Sequence, residues 1–412
     1  MMMGISRSPG ASQRRQSGVS LIELMVALVI ASLLGIGLVQ IFGGTRAAFN
    51  SNSALARAQE NSRFAIGFIE NDLRMVGHLG LSNEQGYQSG NIFNHLSTDG
   101  RSNSTNTPFL YRTHLSVHGY GFIGTDAFNA VYNMPGTPAV GASAAAWSPA
   151  LPSELGVDTV ALAGSDVLLL RFLSAENAPL RDISADAAVA SNVDTAGNIH
   201  WDNTVIPDFL EDGGIFALTN YSLLSLFFVD GTMSAVASAA QGGLNQVGWP
   251  AIAARFDEVD AYGRGSSLYR YEVSVYFVAD GADDQPALWR RRLGPSGDLL
   301  PAEELVPGVD MMQVTYGVVD TPIRAGDQPT RYLTAQQIEA GTWRGTSDAR
   351  WADVVSVRVG LLMRSNVPSN VIDCSQIDCE MNVGGMRIMP PDDRRVRHVY
   401  ETQVALRNRS RG

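Results

Sequence analysis

Nineteen consecutive residues, Leu24 to Phe42, contain no charged side chain and only two polar ones, Ser32 and Gln40. At about 1.5 Å per residue a helix over this run covers roughly 28 Å, the thickness of a bilayer's hydrocarbon core. Residues 1–18 are polar and hold Arg7, Arg14 and Arg15 with no acidic residue. Positive charge on that flank keeps the N-terminus cytoplasmic and sends the rest of the chain outside. A secretory signal peptide shares the basic start and the apolar stretch. It has no use for the acid at the mouth of the run, Glu23.

That acid needs a partner. A carboxylate costs up to about 2.5–3.5 kcal/mol at mid-bilayer and less near the interface, so an acid at this depth marks function. If the chain is cut after Gly18, the new amine on Val19 stands four residues from Glu23, and the two charges pair within a subunit or between neighbours. Ala27, Ala31 and Gly35 form a small-residue stripe that lets helices approach closely. The helical period then continues through Leu55, Ala58, Ser62, Ile66, Ile69, Leu73 and Val76, and Gly77 and Gly80 supply a stop. One helix over residues 21–77 is roughly 85 Å long. A compact domain does not need that length; a filament with a helical core does. Arg63, Asp72 and Arg74 read as solvated or helix-pairing charges.

The junction Gly18-Val19-Ser20-Leu21-Ile22-Glu23-Leu24-Met25-Val26 is similar to the class III signal of type IV prepilins and type II secretion pseudopilins. The resemblance implies cleavage after Gly18 by the prepilin peptidase, methylation of Val19, and a requirement for Glu23 in assembly. The first mature residue of that family is usually Phe, and this chain has Val19. The stretches Gln59–Ala65 and Glu70–Gly80 resemble the end of the N-terminal helix in PilW-type minor pilins. Many of those carry a Cys just after the second Gly, where this chain has Leu81. Leu305–Gly317, Asp353–Val359 and Val404–Arg409 resemble the strand-forming segments of the same family, so the resemblance covers the first 80 residues and roughly the last 110.

After Gly80 the period changes to two, the signature of strands. Tyr269, Tyr271, Val273, Val275 and Phe277 alternate with polar residues, and Val355 to Met363 do the same. Asp310 to Val318 and Tyr400 to Leu406 give two more apolar faces. Val167–Leu173 reads as a buried strand, and Ile215–Val229 as one or two. Asp280 to Asp284 reads as a hairpin loop before Leu288-Trp289-Arg290. The expected fold is α+β and pilin-like: a long N-terminal helix followed by a β-sheet-rich globular domain. Residues 1–18 are the cytoplasmic leader, 19–44 the transmembrane and filament-core helix, and 45–80 its amphipathic continuation. Residues 81–260 form a variable globular region and 261–412 a β-rich C-terminal region. Residues 135–156 and 231–248, rich in Gly, Ala, Ser and Pro, read as loops or insertions. Whether 81–260 makes a separate lobe or decorates the main sheet is open at the level of sequence.

Few residues suggest chemistry. Gly119-Tyr120-Gly121-Phe122-Ile123-Gly124 satisfies a dinucleotide fingerprint but lacks the following helix that the motif requires. His114 and His118 are four apart without the Glu of a zinc protease. Asp280, Asp283 and Asp284 lack full calcium-loop spacing and read as an acidic turn. No cofactor or metal is expected. A formal net charge of −11, with all 30 basic residues Arg, argues against nucleic acid as a direct ligand. Cys374 and Cys379, the only cysteines, suit a disulfide closing a short loop in an exported protein.

The resemblance implies a non-enzymatic minor pilin acting in initiation or tip assembly of a type IV pilus. Its partners would be the prepilin peptidase, other minor pilins, the major pilin, the inner-membrane assembly platform and a tip adhesin. It would span the inner membrane once, with the globular part periplasmic, and then reach the pilus or cell surface. One alternative is a J-like minor pseudopilin of a type II secretion system. Another is a membrane-anchored periplasmic enzyme or binding protein, which predicts a polar-lined pocket within 81–260 and tolerance of Glu23 replacement.

Overall fold

The computed structural model describes residues 18, 20–81, 92–94, 96, 107–125, 130–141, 143–179, 214–221, 223–229, 265–283, 285–319, 328–341, 346–368 and 379–409. Two compact units divide the chain, residues 1–53 and 54–412. The first unit holds the opening part of helix α1 (Leu21–Met75). Its large apolar side chains from Leu21 to Phe42 are all exposed, and the helix is long and apolar enough to cross a membrane. The polar groups here turn inward to the backbone: Ser32 Oγ donates to the Val29 carbonyl (2.8 Å) and Thr45 Oγ1 to that of Ile41 (2.8 Å). In hydrocarbon such groups have no water to turn to.

The second unit begins with the rest of α1, whose buried face is Ala54, Ala58, Ser62, Ala65, Ile69, Asp72, Leu73 and Val76. The stripe expected from sequence is rotated slightly, since Leu55 and Ile66 are half-buried while the smaller Ala54 and Ala65 point inward. The helix stops where expected: Gly77 takes φ +74° and His78 N–H closes the last turn on the Met75 carbonyl (2.9 Å). Gly80 takes φ +66°, and a Cβ there would lie 2.6 Å from the Tyr269 ring, so only glycine fits.

Three sheets follow. The largest joins β1 (Ile92–Asn94), β2 (Val117–Phe122), β4 (Trp147–Ser148), β5 (Val167–Pro179), β6 (Gly214–Thr219), β7 (Leu224–Val229), β8 (Ser267–Asp280), β9 (Pro286–Arg292) and β10 (Glu303–Pro307) in the order β1-β7-β6-β8-β5-β2-β4, with β9 and β10 branching from β8. Strand β8 is its axis: one edge pairs with β5, and the other pairs with β6 through Ser267–Arg270 and with β9 through Ser274–Asp280. The second sheet is antiparallel, β12-β11-β13-β16, from β11 (Val309–Val318), β12 (Arg331–Leu333), β13 (Val354–Pro368) and β16 (Arg395–Ala405). The third holds β14 (Met381–Val383), β15 (Met386–Met389) and β3 (Val131–Asn133). Two short helices, α2 (Ala335–Ala340) and α3 (Ser347–Ala352), precede β13.

Alternation along the strands builds a core on each face. Leu168, Leu170, Tyr276, Val278 and Leu288 of the large sheet meet Met312, Val314, Tyr316, Val357, Val359 and Leu361 of the second sheet around Ala58, Ala65, Ile69 and Leu73 of α1. The opposite face of the large sheet, including Leu169, Val273, Val275 and Phe277, packs on Trp147, Leu151, Leu155 and Val157. The opposite face of the second sheet, Met311 and Leu362, packs on Met134, Val383, Met386 and Ile388.

These contacts answer the question left open for residues 81–260. They do not form a separate lobe: β5, β6 and β2 belong to the sheet centred on β8, and β3 pairs with β15 across the division at 260. The division therefore does not separate folding units. Residues 135–156 are mostly loop, as expected, with two 3-10 turns and the two-residue β4, yet Trp147 among them is buried and its indole N–H donates to the Ser165 carbonyl (2.9 Å). Residues 231–248 lie outside the described residues. The glycine-rich fingerprint is strand β2 with its 3-10 turn Ile123–Thr125, and Gly119 is where the Tyr316 hydroxyl approaches: a Cβ there would stand 1.7 Å from Oη.

Candidate functional site

The residues that the sequence singles out for processing and assembly, Gly18, Val19 and Glu23, fall within residues 1–53. Gly18 is exposed with open space around its Cβ position, and Val19 lies outside the described residues. Glu23 occupies the first turn of α1 and is exposed. A helix N-terminus presents unpaired N–H groups and a positive dipole end, a favourable setting for a carboxylate. Ala27 and Ala31 are exposed and Gly35 is half-buried with nothing within 4 Å of its Cβ position, so the stripe is open to a neighbour.

In the second unit, the seat of α1 is partly polar. Asp72, expected as a solvated or helix-pairing charge, is buried. It turns toward the sheet because it shares the helical phase of Ile69, Leu73 and Val76. Tyr276 Oη donates to Asp72 Oδ2 at 2.6 Å and lies 3.2 Å from the Phe68 carbonyl. Arg290 Nη1 stands 3.8 Å from Asp72 Oδ2, while its Nη2 pairs with Glu303 at 2.9 Å. Burial, and then the Asp72 carboxylate, push the Tyr276 hydroxyl well above the usual phenol range, so it stays a donor. On the same face Glu272 is raised from the ordinary 4.5 by burial, against the pull of Arg270 and Arg292. Arg74 pairs with Glu70 at 3.0 Å along the helix, as expected, and Arg63 is exposed.

Further polar contacts tie the helix to both sheets. Asn61 Nδ2 donates to the Pro307 carbonyl (3.1 Å), the Thr402 hydroxyl to Glu70, and Asn408 Nδ2 to the Arg74 carbonyl (3.1 Å). Helix α1 thus lies along the outer strand β10 of one sheet and the outer strand β16 of the other, and covering an edge removes a template for unwanted pairing. Leu81 is held by a hydrogen bond from its N–H to Thr219 Oγ1 (3.0 Å).

Two acidic residues to which the sequence assigned no role are buried among the strands: Asp166 bridges the two large sheets, and Asp310 ties strands β11, β13 and β16 within the second. Asp166 accepts from Phe122 N–H of β2 (2.9 Å) and Val314 N–H of β11 (2.8 Å). Beside it Ser165 Oγ accepts from Met312 N–H (3.0 Å) and Gln313 Nε2 donates to the Gly164 carbonyl (2.7 Å). Asp310, only 2% exposed, meets Arg397 at 2.7 Å and Arg364 at 3.2 Å. Arg397 also grips Asp393 through two bonds, at 2.6 and 2.7 Å. Burial pushes the Asp310 carboxyl up against the pull of both guanidiniums. For Asp393 burial also pushes up, but the bonds from Arg397 and from Arg395 N–H win and hold it below the ordinary 3.8. Each acid had a readable signal, since each interrupts or directly precedes an apolar strand.

The histidines, acidic turn and cysteines singled out in the sequence fall in different parts of the fold. His118 stacks on Trp351 at 4.4 Å between ring centroids, and both His114 and His118 are buried. Among the described residues no group of three His, Cys, Asp or Glu side chains is placed to hold a metal ion. Asp280 ends β8 and Asp283 sits in the expected hairpin turn, while Asp284 lies outside the described residues. Cys379 is disulfide-bonded, and Cys374 lies outside the described residues. Thr113, Ser116, Arg171 and Tyr271 line a cavity of about 10 Å³, room for one water.

Residues 275–408 match the family model described as type IV pilus-assembly protein W, and residues 13–39 match the prokaryotic N-terminal methylation motif. No curated protein matches the chain, and no solved structure does. The longer match reaches upstream of the resemblance read from sequence, taking in β9 and half of β8. It includes Tyr276, Arg290, Pro307, Thr402 and Asn408, the groups that hold α1. The methylation motif over its apolar start and the assembly-protein match over its strands together support a PilW-type pilin.

Proposed function

We propose that this PilW-type protein is a non-enzymatic minor pilin that takes part in initiation or tip assembly of a type IV pilus. The peptidase cuts after Gly18, and the chain then spans the inner membrane once with its globular part in the periplasm. From there it joins other minor pilins, the major pilin, the assembly platform and a tip adhesin. The observation that supports this reading most directly is the first part of α1. It exposes every large apolar side chain from Leu21 to Phe42 and carries one acid, Glu23, in its first turn. Such a helix needs a membrane first and neighbouring helices afterwards. Ala27, Ala31 and Gly35 supply the close approach between helices, and the amine of Val19 supplies the partner of Glu23. Subunits joined by the same helix make a heterologous contact that propagates without closing.

The chain has no lysine, so its α-amine is its one primary amine. Reductive methylation of protein extracted from membranes therefore reports on one site. A mature N-terminus at Val19 that accepts one methyl group rather than two is already methylated, the expected result. Gly18→Ala should leave the leader attached, and Glu23→Ala should be processed but fail to assemble. Normal piliation in either variant overturns the proposal.

A further inference from the structure

The part of α1 that enters the core carries little information about its own axial position. Its first inward-facing residues are Ala54, Ala58, Ser62 and Ala65. A shift of one helical turn along this stretch exchanges small side chains for small side chains. Packing fixes position through interlocking shapes, and a smooth stripe offers few of them. Only toward the C-terminal end do larger residues appear, Ile69, Leu73 and Val76, and among them stands one buried carboxylate, Asp72.

The sheet is built to receive that carboxylate at one height. Tyr276 of β8 donates to Asp72 Oδ2 at 2.6 Å, and the same hydroxyl is 3.2 Å from the carbonyl of Phe68, one turn earlier. Arg290, directly opposite Tyr276 in the β8–β9 ladder, brings its guanidinium to 3.8 Å from Asp72. Glu303 of β10 holds Arg290 from the far side at 2.9 Å, and the Phe68 ring lies 5.7 Å from the guanidinium. A helix shifted by one turn would place Phe68 or Val76 before the Tyr276 hydroxyl. Asp72 would move to a buried position away from both donors.

We propose that Asp72 is the register lock of α1, a buried acid that fixes the axial position and rotation of the helix on the β8–β9–β10 strands. Buried polar pairs are weak contributors to stability against a well-packed apolar replacement, and their best-attested use is to specify register. The quantity that identifies such a lock is therefore position and not stability. Removing it makes the helix position ambiguous, while any loss of stability comes from the Tyr276 and Arg290 donors left behind. For a subunit whose helix continues into a filament, position is the quantity that matters.

The test uses the full-length protein in detergent, with spin labels at Arg63→Cys on the exposed side of α1 and Gln403→Cys on β16, both exposed positions. The unaltered lock should give one narrow distance distribution. Asp72→Leu should add a second population displaced by roughly one helical turn, about 5.4 Å. Asp72→Asn keeps an acceptor for Tyr276 and should restore the single distance. A single narrow distribution in Asp72→Leu overturns the proposal, because packing alone would then set the position. Should Asp72→Leu fail to fold, Tyr276→Phe removes only the donor hydroxyl. It should show the same second population, and a single distance there refutes the lock equally.

Discussion

Asp166→Ala tests whether the two large sheets are one cooperative unit. The carboxylate accepts from Phe122 N–H at 2.9 Å and from Val314 N–H at 2.8 Å, and it is 5% exposed. Alanine leaves two buried donors without their acceptor, and each such group costs about 1–3 kcal/mol. The expected loss is therefore about 2–6 kcal/mol, a large share of the 5–15 kcal/mol typical of a folded domain. Asp166→Asn offers one oxygen and turns an NH₂ group toward the other donor, so it should fall between wild type and alanine. Chemical denaturation of the full-length protein in detergent, followed by tryptophan fluorescence, reads the effect. Trp147 reports beside Ser165 and Trp351 reports beside Tyr316 in the second sheet. The transition should move to lower denaturant in both variants. Losses within about 0.5 kcal/mol, the scale of neutral surface changes, would refute the view of Asp166 as the joint between sheets.

Arg397→Met leaves Asp310 buried with Arg364 alone, an expected loss of about 3–5 kcal/mol by the same denaturation assay. Combining it with Asp310→Leu should recover most of that loss. Glu272 gives a pH signature: its folded value lies above the ordinary 4.5, so the folded state holds the proton longer than the unfolded one. Stability should fall as pH rises from 4.5 through the raised folded value, and Glu272→Gln should remove that slope in thermal unfolding measured across pH. Replacing Cys374 and Cys379 together by serine should cost no more than about 2 kcal/mol, since the loop is short. A collapse of folding on circular dichroism would contradict that estimate.

Most elements were legible in the residues that repeat. Strands β8, β11, β13 and β16 were each announced by alternation, and the hairpin between β8 and β9 by Asp280 to Asp283. The helix was announced by its period and its stop by Gly77 and Gly80. What was misread were single polar residues inside apolar patterns. Asp72 looked like a solvated or helix-pairing charge because local sequence cannot show which side of a helix meets a sheet more than 200 residues away, where Tyr276 waits. The place of the middle region stayed open in the sequence because its partners are distant too: β5 meets β8 about 100 residues on, and β3 meets β15 some 250 residues on.

By itself the sequence determined the class of the protein. A basic leader, Gly18, Glu23 and an uncharged run of membrane length act locally, through hydrophobicity and charge that need no partner in the fold. Tertiary structure alone decided how α1 is held. Its inward stripe is too smooth to state a position, and the groups that state it, Tyr276, Arg290 and Thr402, come together only when β8, β9 and β16 have assembled around the helix. Hydrophobic pattern sorts residues by face over short distances; a hydrogen bond to a buried carboxylate depends on atoms that the chain brings together last.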